Sequence, residues 1–434
     1  MWVAAAEARA MKVAVVGGGW AGLAAGIAAV RGGHAVTLFE AARTLGGRAR
    51  SLPATLPDGS PTTLDNGQHI LIGAYSATLR LMQEIGIDPA TVLLRLPLTL
   101  RFPDGSGLAL PPWPAPLDAA WGIATATGWS VRDKASMLAA ALRWQLRRFR
   151  CEPDATVLEL CRGLTPRVMV ELIEPLCVSA LNIPAARADG TVFLRVVRDA
   201  LFGPGHGDWG GSNLLLPRAA LGDIFPQQAG QWLQQRGARL ALGQRVQVIA
   251  ARDAGWAVDG QPFDAVLLAC PPWEAARLVR SSGANAQAWL AQCEALAHEA
   301  LTTVYVIGGP RLPLPMLALR SSAEAPAQFV FDRSQLGGPA GLLAFVISAS
   351  QGERETLQRQ VLAQAAALGW TGLQPLQTVV ERRATFACTP GLQRPGLQVA
   401  PGLLVCGDYV RGPYPATLEG AVRCGLEAGE MLAA

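Results

Sequence analysis

Three glycines and one glutamate near the start of the chain have the types and the spacing that bind a dinucleotide. Gly17, Gly19 and Gly22 follow the pattern G-x-G-x-x-G, and Glu40 comes shortly after them. The first glycine permits a tight turn, the second lets the backbone approach a pyrophosphate, and the third lets a helix pack close to a strand. Glu40 can accept hydrogen bonds from both ribose hydroxyls, and its charge disfavours the 2′-phosphate of NADP. The alternative for these residues is a glycine-rich structural turn.

The residues around the glycines predict the elements that such a site requires. Residues 12–16 are mostly apolar and indicate a buried parallel strand. An Ala-rich helix follows, with Trp20 and Ala21 at its start, and residues 35–39 predict a second strand that ends at Glu40. Because these pieces occur in this order, we expect the phosphates to lie at the helix N-terminus, where backbone N–H groups face them.

A second glycine turn follows the predicted second strand. Gly46 and Gly47 let the chain turn back over the nucleotide, and Arg48 offers a fork of donors to phosphate. The alternative for Arg48 is a solvated surface arginine.

The C-terminal region carries a matching constellation. Gly407 and Asp408 directly follow an apolar strand, and a predicted helix begins near Thr417 and Leu418. A carboxylate at that strand end can bind a ribityl hydroxyl, and the helix N-terminus can face the ring or phosphate of a flavin. Paired with the N-terminal glycines, these residues predict the second half of one flavin site.

Composition limits the classes of function. The chain has 434 residues, of which 50% are hydrophobic and 16% charged, and its formal net charge is +4. A charge this small argues against nucleic-acid binding, and the apolar composition predicts a large core with an apolar cavity or a membrane contact. The eight cysteines are scattered without a C-x-x-C pair, and neither they nor the four histidines show metal-ligand spacing. We therefore expect a reduced cytoplasmic protein, and residues 1–10 lack a signal-peptide core.

Residues 130–150 predict an amphipathic helix that begins at Ser130, with Asp133 completing an S-x-x-D start signal. Its two faces differ in chemistry: one carries Leu138, Leu142, Leu146 and Phe149, and the other carries Arg143, Arg147 and Arg150. The pattern fits a surface helix of a soluble domain and also a helix lying in a membrane interface. The Trp- and Pro-rich stretch 111–121 is a second candidate for membrane contact.

Along nearly its whole length the chain resembles the superfamily of FAD-dependent amine oxidases and phytoene desaturases. The resemblance rests on the two glycine motifs, Glu40, the region of Val246, Gly407-Asp408 and Glu419-Gly420-Ala421. It implies that FAD is the cofactor, that Val246 contacts adenine through its backbone, and that Thr417 and Leu418 lie by the isoalloxazine. Within the superfamily the chain looks most similar to the hydroxysqualene dehydroxylases of bacterial hopanoid synthesis, on the basis of residues 65–69, 174–176, 180–182 and 413–421.

The resemblance implies an α/β fold with a discontinuous Rossmann-type FAD-binding domain of the glutathione-reductase-like kind and an interleaved α+β substrate domain. The expected FAD-binding segments are 11–75, 218–285 and 385–434. The expected substrate and membrane-facing segments are 76–217 and 286–384.

Two departures separate the chain from amine oxidases. Amine oxidases commonly place a lysine near the flavin, but no lysine follows Lys134 here. They also place a tyrosine of an aromatic cage where this chain has Thr417, although Tyr409 and Tyr414 lie nearby in sequence. A substrate amine would therefore lack its usual aromatic walls.

The reaction implied is reductive removal of the allylic hydroxyl of hydroxysqualene to give squalene, with an apolar tunnel and one proton donor supplied by the protein. The candidate donors are Glu174, Asp65, His69 and Asp104, and each also has a structural explanation as a helix-end, turn or core residue. Gln68 and His69 are alternatively expected to hydrogen-bond the flavin or its phosphate.

Other possible functions are a carotenoid or phytoene desaturase, an amine oxidase, and a non-catalytic carrier of flavin and isoprenoid. A long isoprenoid alcohol is insoluble, so we expect entry from a membrane surface, for which a peripheral position on the inner membrane is one possibility.

Overall fold

The computed structural model describes residues 10–432, so the prediction for residues 1–10 lies almost entirely outside the described part. Within residues 10–432, none of the helices has the length and apolar character needed to cross a bilayer. The strands are β1 (Lys12–Val16), β2 (Ala35–Glu40), β3 (Ser51–Thr55), β4 (Pro61–Asp65), β5 (Leu71–Ile72), β6 (Leu93–Leu96), β7 (Thr99–Arg101), β8 (Gly107–Ala109), β9 (Leu214–Pro217), β10 (Arg239–Leu242), β11 (Ile249–Ala251), β12 (Trp256–Val258), β13 (Gln261–Phe263), β14 (Ala265–Leu268), β15 (His298–Ile307), β16 (Met316–Ala318), β17 (Phe329–Asp332), β18 (Leu343–Ser348), β19 (Gln374–Phe386), β20 (Gln398–Ala400) and β21 (Leu403–Val405). The helices are α1 (Trp20–Arg31), α2 (Ser76–Glu84), α3 (Pro89–Val92), α4 (Leu117–Ala124), α5 (Val131–Leu146), α6 (Val157–Leu160), α7 (Pro166–Val168), α8 (Glu174–Leu181), α9 (Gly190–Leu201), α10 (Leu221–Ile224), α11 (Pro226–Gln235), α12 (Pro272–Ser281), α13 (Gln287–Glu294), α14 (Arg354–Ala367) and α15 (Leu418–Glu430).

The central sheet gathers strands from the beginning, middle and end of the chain. Its order is β10-β2-β1-β14-β21-β20, and all neighbours are parallel except the edge pair β21 and β20. β1 lies between β2 and β14, and its residues from Val13 to Val16 are almost entirely buried. The predicted strand at 12–16 is therefore confirmed, and it places the first glycine turn at the carboxyl edge of a parallel sheet, where α/β folds bind their ligands.

Helices α1 and α15 come from opposite ends of the chain and pack directly against each other. A Cβ atom on Gly425 would lie 2.2 Å from the carbonyl oxygen of Ala21, and one on Gly429 would lie 2.5 Å from the Cβ of Ala28. Only glycine lets the two backbones approach this closely. The packing fixes the start of α15 relative to the start of α1, so the two predicted halves of the site meet.

A second, antiparallel sheet has the order β16-β17-β18-β15-β19. α14 covers one of its faces through a separate apolar cluster that includes Val304, Phe345 and Val361. Smaller sheets accompany these two: β7 and β8 form a hairpin around Pro103-Asp104-Gly105, a sequence typical of a turn, and β5, β9 and β6 form a three-stranded sheet.

The helix predicted at 130–150 forms as α5, and the Ser130–Asp133 capping box is present. It ends at Leu146 because Arg148 and Phe149 take positive φ angles. Its packing fixes an orientation that the sequence leaves open. Its inward face is Met137, Ala140 and Trp144, whereas Leu138, Leu142 and Leu146 are exposed, by 38, 56 and 75%.

The spacing of Thr78, Leu81, Met82 and Ile85 predicts a helix over 76–95, but the segment divides into α2, α3 and β6. Gly86 takes a φ of +91°, which ends α2, and Asp88 followed by Pro89 starts the short α3. The last residues pair with β9 because Leu93 and Leu94 face Pro217 and Leu216 in an antiparallel ladder.

Candidate active site

A cavity of about 540 Å³, which we call the cofactor cavity, lies at the carboxyl edge of the central sheet. It brings together residues that are almost 400 positions apart in sequence. Of the residues predicted to bind the cofactor, thirteen line it: Gly17, Gly19, Trp20, Ala21, Glu40, Gly47, Arg48, Gln68, Val246, Gly407, Asp408, Thr417 and Leu418. Gly22 is the exception. It lies behind the turn, where a Cβ atom would be 1.9 Å from the carbonyl oxygen of Gly17, so its role is the close helix–strand packing that the sequence indicates.

The turn between β1 and α1 has the geometry of a phosphate cradle. Gly17 takes a φ of +117°, and a Cβ atom there would be 2.4 Å from the carbonyl oxygen of Ala269. Gly19 is the N-cap of α1, no side chain caps the helix, and its first turn carries no acidic residue. Gly46 donates to the carbonyl of Gly18 at 2.9 Å, which holds the second glycine turn against the first. The free helix N-terminus and the bare backbone therefore fit a pyrophosphate.

The carboxylate of Glu40 is anchored on both oxygens. One oxygen accepts from the backbone N–H of Gly18 at 2.6 Å, and the other accepts from that of Ala42 at 2.7 Å. Each carboxylate oxygen has a second lone pair, so the side chain can still accept from ribose hydroxyls while it holds the turn. The sequence predicts only the ligand role for Glu40, whereas its position also orders the loop.

Arg48 and Asp408 form an ion pair with an N–O distance of 2.6 Å. Arg48 also donates to the carbonyl of Ala384, so three distant segments meet at one guanidinium. The sequence predicts a phosphate contact for Arg48 and a ribityl contact for Asp408. The ion pair adds a structural role to each, because it ties the second glycine turn to the end of β21.

The opposite end of the cavity is formed by residues that the sequence pattern does not single out. Gln244, Arg245, Glu274 and Arg277 line it together with Val246. Arg277 donates to the carbonyl of Val246 at 2.8 Å, so that carbonyl is already bonded within the protein. No local motif marks these residues, because α12 contributes two of them from a position about thirty residues beyond Val246.

A second cavity, of about 200 Å³, adjoins the first. Its walls are mainly apolar side chains, including Leu98, Leu100, Phe193, Phe329 and Phe331. Eight residues line both cavities: Gln68, Ile70, Tyr75, Ser179, Ala180, Leu301, Ser348 and Thr417. We call this set the junction. The two cavities therefore lie against each other along the junction, and the second is an apolar space of the kind that holds hydrophobic ligands.

Of the four predicted proton donors, Glu174, Asp65 and Asp104 line neither cavity. The carboxylate of Glu174 accepts from the backbone N–H of Ala185 at 3.2 Å, and burial raises its pKa. Asp65 is fully buried beneath the site, where it accepts from the N–H of Leu221 at 2.8 Å and lies 3.5 Å from Arg333. Burial raises the pKa of Asp65 more than Arg333 lowers it. Both carboxyls are desolvated, but the structure does not place either at the junction.

The other two candidates differ from each other. Asp104 lies in its hairpin turn, where hydrogen bonds from Ser106 and Arg320 hold its pKa at about 2, so it is ionised and cannot donate. His69 lines the cofactor cavity. Its Nδ1 is 3.1 Å from the carbonyl of Gly67 and must donate to it, and burial lowers the pKa of the ring. His69 is therefore neutral at pH 7, with the lone pair of Nε2 left as an acceptor.

The chain belongs to the family of flavin-containing amine oxidoreductases, whose sequence model matches residues 20–431. It is an FAD-dependent oxidoreductase. Among curated relatives, hydroxysqualene dehydroxylase from Sinorhizobium fredii is 26% identical over 458 residues, covering 97% of this chain and 98% of the relative. The enzyme of the same name from Rhodopseudomonas palustris is 26% identical over 451 residues, with coverage of 97% and 98%. Carotenoid phi-ring synthase from Streptomyces griseus is 37% identical over 130 residues, which cover 29% of this chain and 24% of the relative.

Solved structures share the fold. An oxidoreductase from Methanosarcina mazei superposes with a TM-score of 0.71 at 16% identity, covering 96% of this chain and 99% of that one. Putrescine oxidase bound to putrescine superposes with a TM-score of 0.65 at 16% identity, covering 98% and 100%. At this identity the likeness establishes the mixed α/β architecture and no more.

Proposed function

We propose that the protein removes the hydroxyl of hydroxysqualene reductively and releases squalene. The observation that carries the proposal is the junction, along which an apolar cavity adjoins the cofactor cavity. The near full-length similarity to hydroxysqualene dehydroxylases supports the same substrate. A C30 hydrocarbon chain needs apolar walls, and the second cavity supplies them with few polar groups.

The cofactor-binding residues divide by the part of FAD that each would hold. The turn at Gly17 and Gly19 and the start of α1 would hold the pyrophosphate, Glu40 the adenosine ribose, and Val246 the adenine. Asp408 would hold the ribityl chain, and α15 would present its N-terminus to the ring. When bound in its reduced form, FAD supplies a hydride. The division into FAD-binding segments 11–75, 218–285 and 385–434, with the substrate domain between them, and the glutathione-reductase-like subtype are parts of the same proposal.

The chain's own contribution is to exclude water and to protonate the leaving group. The hydroxyl of hydroxysqualene is allylic, so the cation left by its departure is delocalised. Water in the cavity would capture that cation and return the alcohol. The apolar walls therefore direct the cation towards hydride capture, and a proton must reach the departing oxygen from a residue at the junction.

The direct test is a product assay. The purified holoprotein is reduced with dithionite under anaerobic conditions, mixed with hydroxysqualene, and extracted for gas chromatography with mass spectrometry. We expect squalene in an amount that matches the flavin oxidised. Failure to form squalene, with desaturation of phytoene by the oxidised protein, would replace this proposal with a desaturase function.

A desaturase function has one specific observation in its favour. Zeta-carotene desaturase from Synechocystis is 37% identical over 76 residues, although these cover only 18% of this chain and 15% of the relative. An amine oxidase and a non-catalytic carrier would each give a different outcome in the same assay. The oxidase would be reduced by putrescine, and the carrier would show no flavin redox change with any of these substrates.

We also propose that α4 and α5 form a docking face for an anionic membrane surface. The exposed leucines of α5 continue into Leu117 and Trp121 of α4, which are 63 and 50% exposed, and the two helices contact each other. Residues 130–150 carry six basic residues and one acidic residue, so the positive net charge of this segment is larger than that of the whole chain, which is +4. Apolar side chains flanked by cations match a bilayer with anionic headgroups. On the basis of this docking face, we propose that the protein is cytoplasmic and binds peripherally to the inner membrane.

Vesicle sedimentation tests the docking face. Wild-type protein is expected to sediment with phosphatidylglycerol-containing vesicles at low salt and to dissociate at high salt, because the contact is partly electrostatic. The double variant Leu142→Asp, Leu146→Asp should stay in the supernatant. Leu368→Asp, at an exposed leucine on the far end of α14, is the matched control and should bind as the wild type does. Equal binding by all three proteins would exclude this face.

A further inference from the structure

In the proposed reaction, the oxygen that leaves the substrate would receive its proton at the junction, because the junction is the only described wall that the two cavities share. Its polar members are Gln68, Tyr75, Ser179, Ser348 and Thr417. Among these described residues, Tyr75 is the one with a titratable side chain. An amide and aliphatic hydroxyls are much weaker acids than a phenol.

The position of Tyr75 is fixed by a buried clamp between α2 and α15. Tyr75 immediately precedes α2, and the carboxylate of Glu419, in the first turn of α15, accepts from the first N–H groups of α2. These bonds run from the N–H of Ala77 at 3.0 Å and from the N–H and hydroxyl of Thr78 at 2.9 and 2.8 Å. Glu419 is 1% exposed, so the clamp is shielded from water. The clamp therefore holds Tyr75 beside the start of α15, the helix expected to face the flavin.

The surroundings of Tyr75 keep its hydroxyl protonated. Burial is the main cause that raises its pKa far above the ordinary value, and the charge of Glu419 acts in the same direction. The nearby hydroxyl of Thr417 acts in the opposite direction and lowers the pKa of Tyr75. Thr417 is also the N-cap of α15, where it accepts from Gly420 at 3.1 Å. A phenolate formed during the reaction would thus lie near the positive end of a thirteen-residue helix.

The other acidic groups of the apolar cavity are already engaged. The hydroxyl of Tyr414 donates to Asp199 at 2.9 Å. Burial alone would raise the pKa of Asp199, but hydrogen bonds from Arg195 and Tyr414 outweigh it and lower that pKa, so the carboxylate is ionised. Neither group has a proton to give without breaking this cluster.

We propose that Tyr75 is the catalytic proton donor to the departing hydroxyl. The inference rests on the proposed dehydroxylation. In the step, the C–O bond breaks, the phenolic proton joins the oxygen, and water leaves. The carbon accepts a hydride, the two electrons of which come from the reduced flavin of the proposed function, and the flavin is oxidised. Tyr75 regains its proton from solvent after product release, and dithionite restores the reduced flavin in the assay.

The test compares two substrates in anaerobic single turnovers followed by flavin absorbance. Hydroxysqualene needs a proton for its leaving group, whereas its acetate ester leaves as a stable anion. Tyr75→Phe is expected to slow flavin oxidation by hydroxysqualene at least about 100-fold, the usual effect of losing a general acid. The same variant should oxidise with the ester at a rate within about fivefold of the wild type, since removal of one hydroxyl preserves packing. Tyr414→Phe, which removes a hydroxyl elsewhere in the cavity, should slow both substrates equally.

Two readouts separate this role from a structural one. Wild type and Tyr75→Phe should have the same flavin content. They should also bind squalene equally in the oxidised holoprotein, as measured by perturbation of the flavin spectrum. Equal slowing of alcohol and ester, or an unchanged rate with the alcohol, would overturn the assignment of Tyr75 and leave the proposed function intact. A wild-type protein that forms no squalene would overturn both.

Discussion

The contact between α1 and α15 leads to a prediction in which two chemically identical substitutions have opposite effects. Gly425→Ala places a methyl group 2.2 Å from the carbonyl oxygen of Ala21, which is backbone and cannot rotate away. Gly26→Ala, in the interior of α1, places the same methyl group 3.5 Å from a terminal carbon of Leu233, an ordinary contact. Both glycines lie inside helices and have no positive φ, so the two changes share one backbone effect and differ in packing.

The expected changes in stability follow from the backbone effect and the packing effect. Replacing glycine by alanine inside a helix stabilises it by up to about 1 kcal/mol. Overpacking against a fixed backbone costs about 1–3 kcal/mol. Gly26→Ala should therefore be neutral or stabilising, and Gly425→Ala should be destabilising, with a difference between them of about 1–3 kcal/mol. Because α15 begins at the cofactor cavity, the displaced helix should also release FAD more readily.

The assay is thermal unfolding of the holoproteins, with flavin fluorescence reporting cofactor release and circular dichroism reporting the fold. Gly425→Ala should release flavin at a lower temperature than the wild type, and Gly26→Ala should not. A Gly425→Ala protein as stable as Gly26→Ala, with equal flavin affinity, would refute the claim that close backbone contact joins the two ends of the site.

Three further predictions concern site residues. Glu174→Gln should keep turnover of hydroxysqualene within about threefold, because its carboxyl lines neither cavity, whereas a general acid would lose at least about 100-fold in a single-turnover assay. His69→Asn should reduce the loss of thermal stability between pH 7.5 and pH 5. The folded state holds the pKa of His69 below its unfolded value, so acid protonates this residue preferentially in the unfolded chain and stabilises that state. Unfolding curves at the two pH values measure the difference. Asp408→Asn breaks the ion pair with Arg48 and should weaken FAD binding about tenfold or more in a fluorescence titration, while Asp253→Asn on the surface should not.

The cofactor cavity could be predicted closely because its determinants are local. Gly17, Gly19 and Gly22 act through the turn in which they lie, and that turn can form in few other ways once a strand precedes it and a helix follows. Glu40 is positioned by the neighbouring parallel strand. The contact between this region and the segment at Gly407 is not local. The sequence predicts it only because each of the two motifs supplies half of a flavin site.

The orientation of α5 shows what periodicity leaves open. The segment has two apolar faces, one carrying Leu138, Leu142 and Leu146 and the other carrying Met137, Ala140 and Trp144. A helical pattern identifies each face but not the one that the rest of the fold covers. Trp144 is 2% exposed because α5 packs by that face, and the leucine face is left outward, where it has no partner within the described residues.

The proton donor could not be read from sequence because it depends on three segments meeting. Glu174 is attractive as a carboxyl in apolar surroundings, yet its environment is a helix start bonded to Ala185 rather than a cavity wall. Tyr75 belongs to no motif. Its position at the junction depends on the clamp through Glu419, which holds it beside Thr417. That clamp joins residues more than 300 positions apart in sequence.

The state of the junction also bears on the direction of the reaction. A desaturase takes hydrogen from its substrate and must dispose of a proton, so its cavity benefits from a basic acceptor. Among the eight described junction residues none is a carboxylate or a histidine, and Tyr75 is held in its protonated form. His69, whose Nε2 can accept, lines the cofactor cavity alone. Such a wall carries a proton and none of the usual bases that accept one, which favours loss of water from an alcohol over loss of hydrogen from a polyene. Faster reduction of the oxidised protein by phytoene than oxidation of the reduced protein by hydroxysqualene would contradict this argument.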